Sequence, residues 1–230
     1  MFHVEQSEDL KHLLLESSRE IGVTIDPEMV QLFLLYLNQL KQWNQSFNLT
    51  AITKDDEIIV KHFIDSLAAL KAVNIDQGST VLDVGAGAGF PGIPLKIVRP
   101  DLCMTLVEPV HKKSSFLHFI VGLLRLKGIE IFNGTIELFS NTRTTKTMFD
   151  YITTRALNPS LIFHKSHNLL NEYGKAIIYS SRPLDRTSLS SDWIFNSEYT
   201  FKLPHAHGSR TISTFFHRAD SSSVAVPRGT

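Results

Sequence analysis

The 230-residue chain holds a single cysteine, Cys103, so neither a disulfide framework nor a cysteine-based zinc site is available to it. No run approaches about 18 uninterrupted apolar residues, which excludes a membrane-spanning helix. The opening Met1-Phe-His-Val-Glu-Gln lacks a basic segment followed by an apolar one. No secretory leader is therefore expected, and a cytoplasmic protein is. Excess charge is missing too, since 23 Lys and Arg balance 23 Asp and Glu. With 43% apolar and 20% charged residues, a mostly disordered chain is ruled out. The length suits one substantial domain with an appendage, or two small domains.

The balance of charge conceals a polarity. Residues 1–80 carry 6 basic against 12 acidic residues, and residues 81–230 carry 17 against 11 together with seven of the ten histidines. Asymmetry of this kind points to an anionic partner for the second part, although chance variation of surface charge accounts for it equally well.

Apolar spacing predicts two amphipathic helices at the start, one through Leu10, Leu13, Leu14 and Ile21, the other through Met29, Phe33, Leu37, Leu40 and Trp43. Asp26-Pro27-Glu28 supplies a cap, a proline at the first helical position and an acid for the second. Asn44–Thr53 reads as a turn and Lys54–Val73 as a third helix. Strands are expected at Thr80–Val84, Thr105–Glu108, Ile129–Phe132, Phe149–Thr154 and Ala176–Ser180, with helices at Ile93–Val98, after Glu108 (through Phe116, Ile120, Leu123 and Leu124) and at Ser160–Glu172. Alternation of this kind predicts an α/β protein whose mostly parallel sheet is covered on both faces. Trp193–Leu203 and Arg210–Phe216 read as a closing antiparallel hairpin. The domains are expected at 1–78 (helical), 79–218 (α/β) and 219–230 (a disordered tail, in which Val226-Pro-Arg-Gly resembles a protease recognition site).

Chemistry concentrates in Val81-Leu-Asp-Val-Gly-Ala-Gly-Ala-Gly-Phe-Pro-Gly92, at the carboxyl end of the first strand, where open α/β sheets bind ligands. Gly85, Gly87 and Gly89 permit a tight turn and close approach of a ligand, beyond what a plain strand-to-helix turn needs. Two cofactor classes compete for the loop. Gly87-x-Gly89-x-x-Gly92 with Glu108 downstream matches a dinucleotide pattern, which Pro91 and Pro94 and the late position of the unit weaken. Asp83-x-Gly85-x-Gly87 with Glu108 ending the next strand resembles the S-adenosylmethionine site of Rossmann-like methyltransferases, in which Glu108 would accept hydrogen bonds from both ribose hydroxyls.

Further motifs occur in order: Asn48-Leu-Thr-Ala-Ile, His62-Phe-Ile-Asp-Ser-Leu, Glu108-Pro-Val-His-Lys-Lys-Ser-Ser-Phe-Leu117, Gly134-Thr-Ile-Glu, Phe149-Asp-Tyr-Ile-Thr-Thr-Arg-Ala156 and Gly208-x-Arg210. Over about residues 5–217 the chain resembles the ribosomal RNA small subunit methyltransferase G family, also called glucose-inhibited division protein B. The resemblance implies a class I methyltransferase fold with a seven-stranded sheet and a C-terminal antiparallel hairpin. It implies S-adenosylmethionine-dependent methylation of N7 of a guanine in 16S ribosomal RNA, at position 527. It also implies that Asp83, Gly85, Gly87, Phe90 and Glu108 bind the cofactor, that Ile136 and Glu137 flank its adenine, and that Arg155 contacts the cofactor near the reaction site and aligns the reactants. The partner it implies is 16S RNA in the small ribosomal subunit or a precursor, with the protein acting as a monomer and without a membrane.

Bland readings stand beside these roles. Lys112 and Lys113 either grip RNA phosphates at the start of a helix or form a solvated face, and Asn48 either faces the target base or stabilises a turn. Arg155 has a structural ion pair as its alternative. His62 and Asp65, one helical turn apart, are expected to orient helices rather than do chemistry. His164 with His167, and His205 with His207, lack acidic or cysteine company, so no metal is expected. A nicotinamide oxidoreductase and a non-catalytic RNA-binding module remain as the other readings. Guanine N7 carries an in-plane lone pair and no proton, so its methylation needs alignment and a shaped pocket, without a general base.

Overall fold

Short apolar runs become the strands of one seven-stranded sheet: β1 (Thr80–Val84), β2 (Cys103–Val107), β3 (Ile129–Phe132), β4 (Phe149–Arg155), β5 (Leu170–Ser180), β6 (Trp193–Lys202) and β7 (Ser209–His217). Their order is β3-β2-β1-β4-β5-β7-β6. The first five pair in parallel, and β7 inserts antiparallel between β5 and β6. The chain is described by a computed structural model at residues 2–142, 148–155, 159–184 and 192–217. The expected tail at 219–230 lies outside those residues.

Helices cover both faces because successive strand residues point to opposite sides. Val81, Tyr151 and Ile177 share one apolar core with α1 (Phe2–Glu20), α2 (Pro27–Phe47), α6 (Gly92–Val98) and α7 (His111–Leu123). Leu82, Ile152 and Ile178 face a second core with α8 (Ile136–Thr142) and α9 (Pro159–Lys165). The N-terminal helices thus share the sheet's own core. Asp26 caps α2 by accepting from the Met29 amide at 2.8 Å, and Val30, Phe33, Tyr36, Leu37 and Leu40 form its buried face.

Several expected boundaries move. The turn expected from Asn44 begins only after Phe47: the Trp43–Phe47 aromatic pair, 5.3 Å apart and one turn apart in the helix, carries α2 further, and Asn48 closes it in a left-handed conformation (φ 49°). The single helix expected over 54–73 is α3 (Asp55–Ile58), a π-helical turn (Ile59–Ile64), α4 (Asp65–Leu67) and α5 (Ala69–Ala72). The helix expected to reach Glu172 stops at Lys165, and β5 already begins at Leu170. Leu123 is exposed rather than on the buried side of α7, and a further helix, α8, stands between β3 and β4.

β1 lies between β2 and β4, so the chain leaves it on one side for β2 and reaches β4 on the other. Its carboxyl end is the topological switch point, where the covering loops part and leave a crevice.

Candidate functional site

From Val84 the chain turns through Gly85 (φ 72°), Gly87 (φ 61°) and Gly89 (φ 102°) before α6, a left-handed backbone path open to glycine at little cost. The amides of Gly85 and Ala86 donate to the Val107 carbonyl at 2.9 and 3.1 Å, tying the loop to the end of β2. The buried Tyr36 hydroxyl of α2 donates to the Ala88 carbonyl from the opposite side. A Cβ on Gly89 would come within 2.6 Å of that hydroxyl, whereas one on Gly87 would meet only the Gly85 carbonyl, at 3.9 Å. Gly87 therefore borders open space.

That space is a cavity of about 350 Å³ lined by the loop from Gly85 to Ala88, Phe90, Glu108 and Lys113, among others. Glu108 is 3% exposed. Its Oε2 accepts from the Gly87 amide at 2.8 Å and its Oε1 from the Val110 amide at 2.9 Å. Each oxygen keeps a further lone pair, so the carboxylate can receive two neighbouring hydroxyls such as those of a ribose. A side chain at Gly87 would fill the cradle beside it. The residues present fit an adenosyl group.

His62 and Arg155 line the same cavity. Arg155 Nη2 lies 3.0 Å from His62 Nδ1, and His62 Nε2 lies 2.8 Å from Thr50 Oγ1. A guanidinium only donates, so Nδ1 must accept and Nε2 carries the proton donated to Thr50. Burial, reinforced by the Arg155 charge, lowers the His62 pKa to about 3. Its ring is neutral at physiological pH. The ring stacks on Phe90 at 4.5 Å between centroids, and the Arg155 guanidinium lies 5.0 Å from the centroid of the Phe90 ring. Phe90 thereby joins the glycine loop to this pair.

His62 and Arg155 also line a second cavity, of about 580 Å³, together with Asp65, Tyr179 and Arg210. Asp65 is 4% exposed, and its Oδ2 lies 3.5 Å from both Arg155 Nη1 and Arg210 Nε. Burial raises the Asp65 carboxyl, while the two arginines pull it back.

Gly85, Gly87, Phe90, Glu108 and Arg155 thus meet at one cavity, and Lys113 lines it as well. The other expected residues do not. Asp83 is wholly buried behind the loop, where its Oδ2 accepts from the Gly92 amide at 2.9 Å, and burial pushes its carboxyl up to about 7. Its acid holds the loop's far end rather than facing the cavity. Ile136 is buried in the second core beside Phe139, and Glu137 follows it on α8 without lining the cavity. Lys112 is exposed on the first turn of α7. Asn48 is exposed at the end of α2, where its amide donates to the Asn44 carbonyl at 3.3 Å. The site gains Tyr36, Thr50, His62, Asp65 and Arg210, whose parts sequence reasoning missed. The signals were the His62–Asp65 spacing and the arginine of Gly208-x-Arg210. Among the described residues, no cluster of three or more metal-ligating side chains occurs.

A family model described as rRNA small subunit methyltransferase G matches residues 29–212. The ribosomal RNA small subunit methyltransferase G of Caldanaerobacter subterraneus subsp. tengcongensis is 40% identical over 161 residues, 70% of this chain and 64% of that relative. The protein of the same description from Alkaliphilus metalliredigens is 38% identical over 163 residues, 71% of this chain and 65% of the relative. The matched stretch thus spans just under two thirds of these relatives. Among solved structures, a mutant of MtNAS in complex with S-adenosylmethionine superposes with a TM-score of 0.57 at 15% identity, over 92% of this chain and 89% of that one. TrmN from Thermus thermophilus superposes with a TM-score of 0.54 at 13% identity, over 67% of this chain and 48% of that one. At these identities the likeness concerns the fold alone.

Proposed function

The chain belongs to the ribosomal RNA small subunit methyltransferase G family, with a class I methyltransferase fold, and from that premise we propose that it methylates N7 of a guanine in 16S ribosomal RNA, at position 527, using S-adenosylmethionine. Bound in the smaller cavity, that cofactor supplies an electrophilic methyl group on a sulfonium. The glycine loop and Glu108 would hold its adenosyl part, Glu108 with the lone pairs left free to accept from ribose hydroxyls. Phe90 and Arg155 shape the wall nearest the second cavity, and Arg155 aligns the acceptor. The helical part, residues 1–78, contributes Tyr36, His62 and Asp65 to a site whose loop belongs to residues 79–218.

The observation that carries this reading is the state of His62. Its imidazole, which borders both cavities, accepts from Arg155 on one nitrogen, donates to Thr50 from the other, and is a very weak base. Asp65 is engaged by arginines, and Asp83 lies outside the cavity at the Gly92 amide. A site so furnished suits an acceptor that has no proton to lose. Guanine N7 is such an acceptor, and its reaction depends on alignment and exclusion of water. N7 faces the deep, narrow major groove of an RNA helix, so the target guanine is expected in a loop or distorted region.

Single-turnover methylation of small-subunit RNA tests the mechanism. The rate is expected to show no ascending limb of a general base between about pH 6 and 9. Arg155→Ala is expected to slow transfer without creating one. An ascending limb in the parent protein would contradict transfer to N7.

A further inference from the structure

Where α2 packs against α7, Trp43 gathers three phenyl rings around it. Between ring centroids it lies 5.4 Å from the buried Phe116, 5.3 Å from Phe47 and 5.2 Å from Phe119. Phe47 and Phe119 are each 39% exposed. Backed by Trp43, they form a platform whose rings lose little freedom when something covers them. A Cβ on Gly122, the next exposed position of α7, would meet nothing within 4 Å, so the helix beside Phe119 leaves the platform open. The charge around it has one sign. Residues 109–129 hold Lys112, Lys113, Arg125, Lys127 and two histidines without an acid, and residues 29–47 of α2 hold no acid either. Lys112 and Phe119, seven positions apart and both exposed, share one face of α7. Both helices lead to the smaller cavity: Leu49 and Thr50, just after α2, line it, as do Val110 and Lys113 at the head of α7. From Lys113 to Phe119 the helix rises about 9 Å.

We infer that the platform of Phe47, Trp43 and Phe119 stacks an unpaired base that neighbours the target in the RNA chain, while Lys112 holds the phosphate beside it. The inference rests on the RNA-methylation reading above for its ligand. That reading puts the target guanine in a loop or distorted region, so the nucleotides next to it are unpaired and turn ring faces to water. Every base has such a face, and an aromatic side chain receives it whatever the sequence. A docked protein would also cover apolar rings. A surface without a carboxylate along either helix, and with a lysine on the same face as the exposed ring, instead suits a polyanion. The platform lies outside the cavity and does no chemistry. It anchors the strand to one side of the reacting nucleotide, so that the target is presented in one register.

Fluorescence anisotropy of a labelled small-subunit RNA fragment, over a range of salt, reads binding by the full-length protein without turnover. 2-Aminopurine in place of an unpaired base beside the target reports stacking, and its emission is expected to be quenched on binding the parent. Phe119→Leu keeps an apolar side chain and removes the ring. It is expected to weaken RNA binding about tenfold, to relieve the quenching and to leave the salt slope as in the parent. Phe47→Leu is expected to act in the same direction, and Phe119→Trp to restore both readings. Lys112→Gln is expected to reduce the salt slope by about one and to leave the quenching. S-adenosylmethionine affinity, measured by calorimetry, is expected to stay parental in all four variants. Parental affinity and quenching in both Phe47→Leu and Phe119→Leu would overturn the inference. So would a parent that sediments as a dimer and a Phe119→Leu variant that sediments as a monomer with parental RNA affinity, because the face would then join two copies of the chain. A parent that binds RNA in the expected pattern yet transfers no methyl group would instead refute the proposed activity and leave the platform standing.

Discussion

At the scale of residues, His62 decides the character of the site. Its two nitrogens are committed to Arg155 and Thr50, and Thr50 is itself fixed by the Asn44 side chain, which accepts from the Thr50 amide at 2.9 Å. Folding lowers the pKa of this histidine from 6.5 to about 3. Below about pH 6.5 the unfolded imidazole takes up a proton and the folded one does not, so the stability it contributes is present above that pH and is lost as pH falls toward 3. The slope approaches about 1.4 kcal/mol per pH unit within that window. His62→Gln removes the titration. In urea unfolding at a series of pH values, the stability advantage of the parent over the variant is expected to shrink between pH 7 and 4. A difference that stays constant with pH would show that His62 does not carry this linkage.

Among elements, α2 is the one that ties the helical part to the glycine loop. Tyr36 stacks on Phe63 at 5.1 Å and on Phe90 at 5.5 Å, and its hydroxyl meets the Ala88 carbonyl inside the core. Tyr36→Phe keeps the ring and strands that carbonyl, at a cost of about 1–3 kcal/mol. Lower stability in urea and a smaller thermal shift on adding S-adenosylmethionine are expected together. An unchanged thermal shift would separate α2 from the loop's function. The β1–loop–α6 unit was legible in the sequence because its glycines, the acid before them and the apolar strand are local signals. The π-helical turn at Ile59–Ile64 was not. Ile58, Ile59, Val60, Phe63 and Ile64 are all buried, so their apolar run fits a regular helix equally well. That turn carries His62 and leads into Asp65, and widened turns of this kind gather at functional sites. Asp65 and Arg210 lie 145 positions apart in the sequence and meet only through the sheet, so no local pattern announced their pairing. Asp83 marks the same limit, because an acid at a strand end looks alike in the sequence whether it faces a ligand or a helix amide.

For the whole molecule, the fold joins what the charge count divides. The acidic first part contributes Asp65 and His62 to the site, and the basic second part contributes Arg155 and Arg210. His62 and Arg155 line both cavities, so the two parts of the chain meet where the cavities adjoin. We propose N7 of a single guanine of small-subunit ribosomal RNA as the acceptor. Its most direct test incubates the purified protein with S-adenosylmethionine and that RNA, then cleaves the product chemically at N7-methylguanine. One new cleavage is expected, at one guanine, dependent on both protein and cofactor. Methyl groups on an exocyclic amine or on a ribose, with no such cleavage, would contradict it.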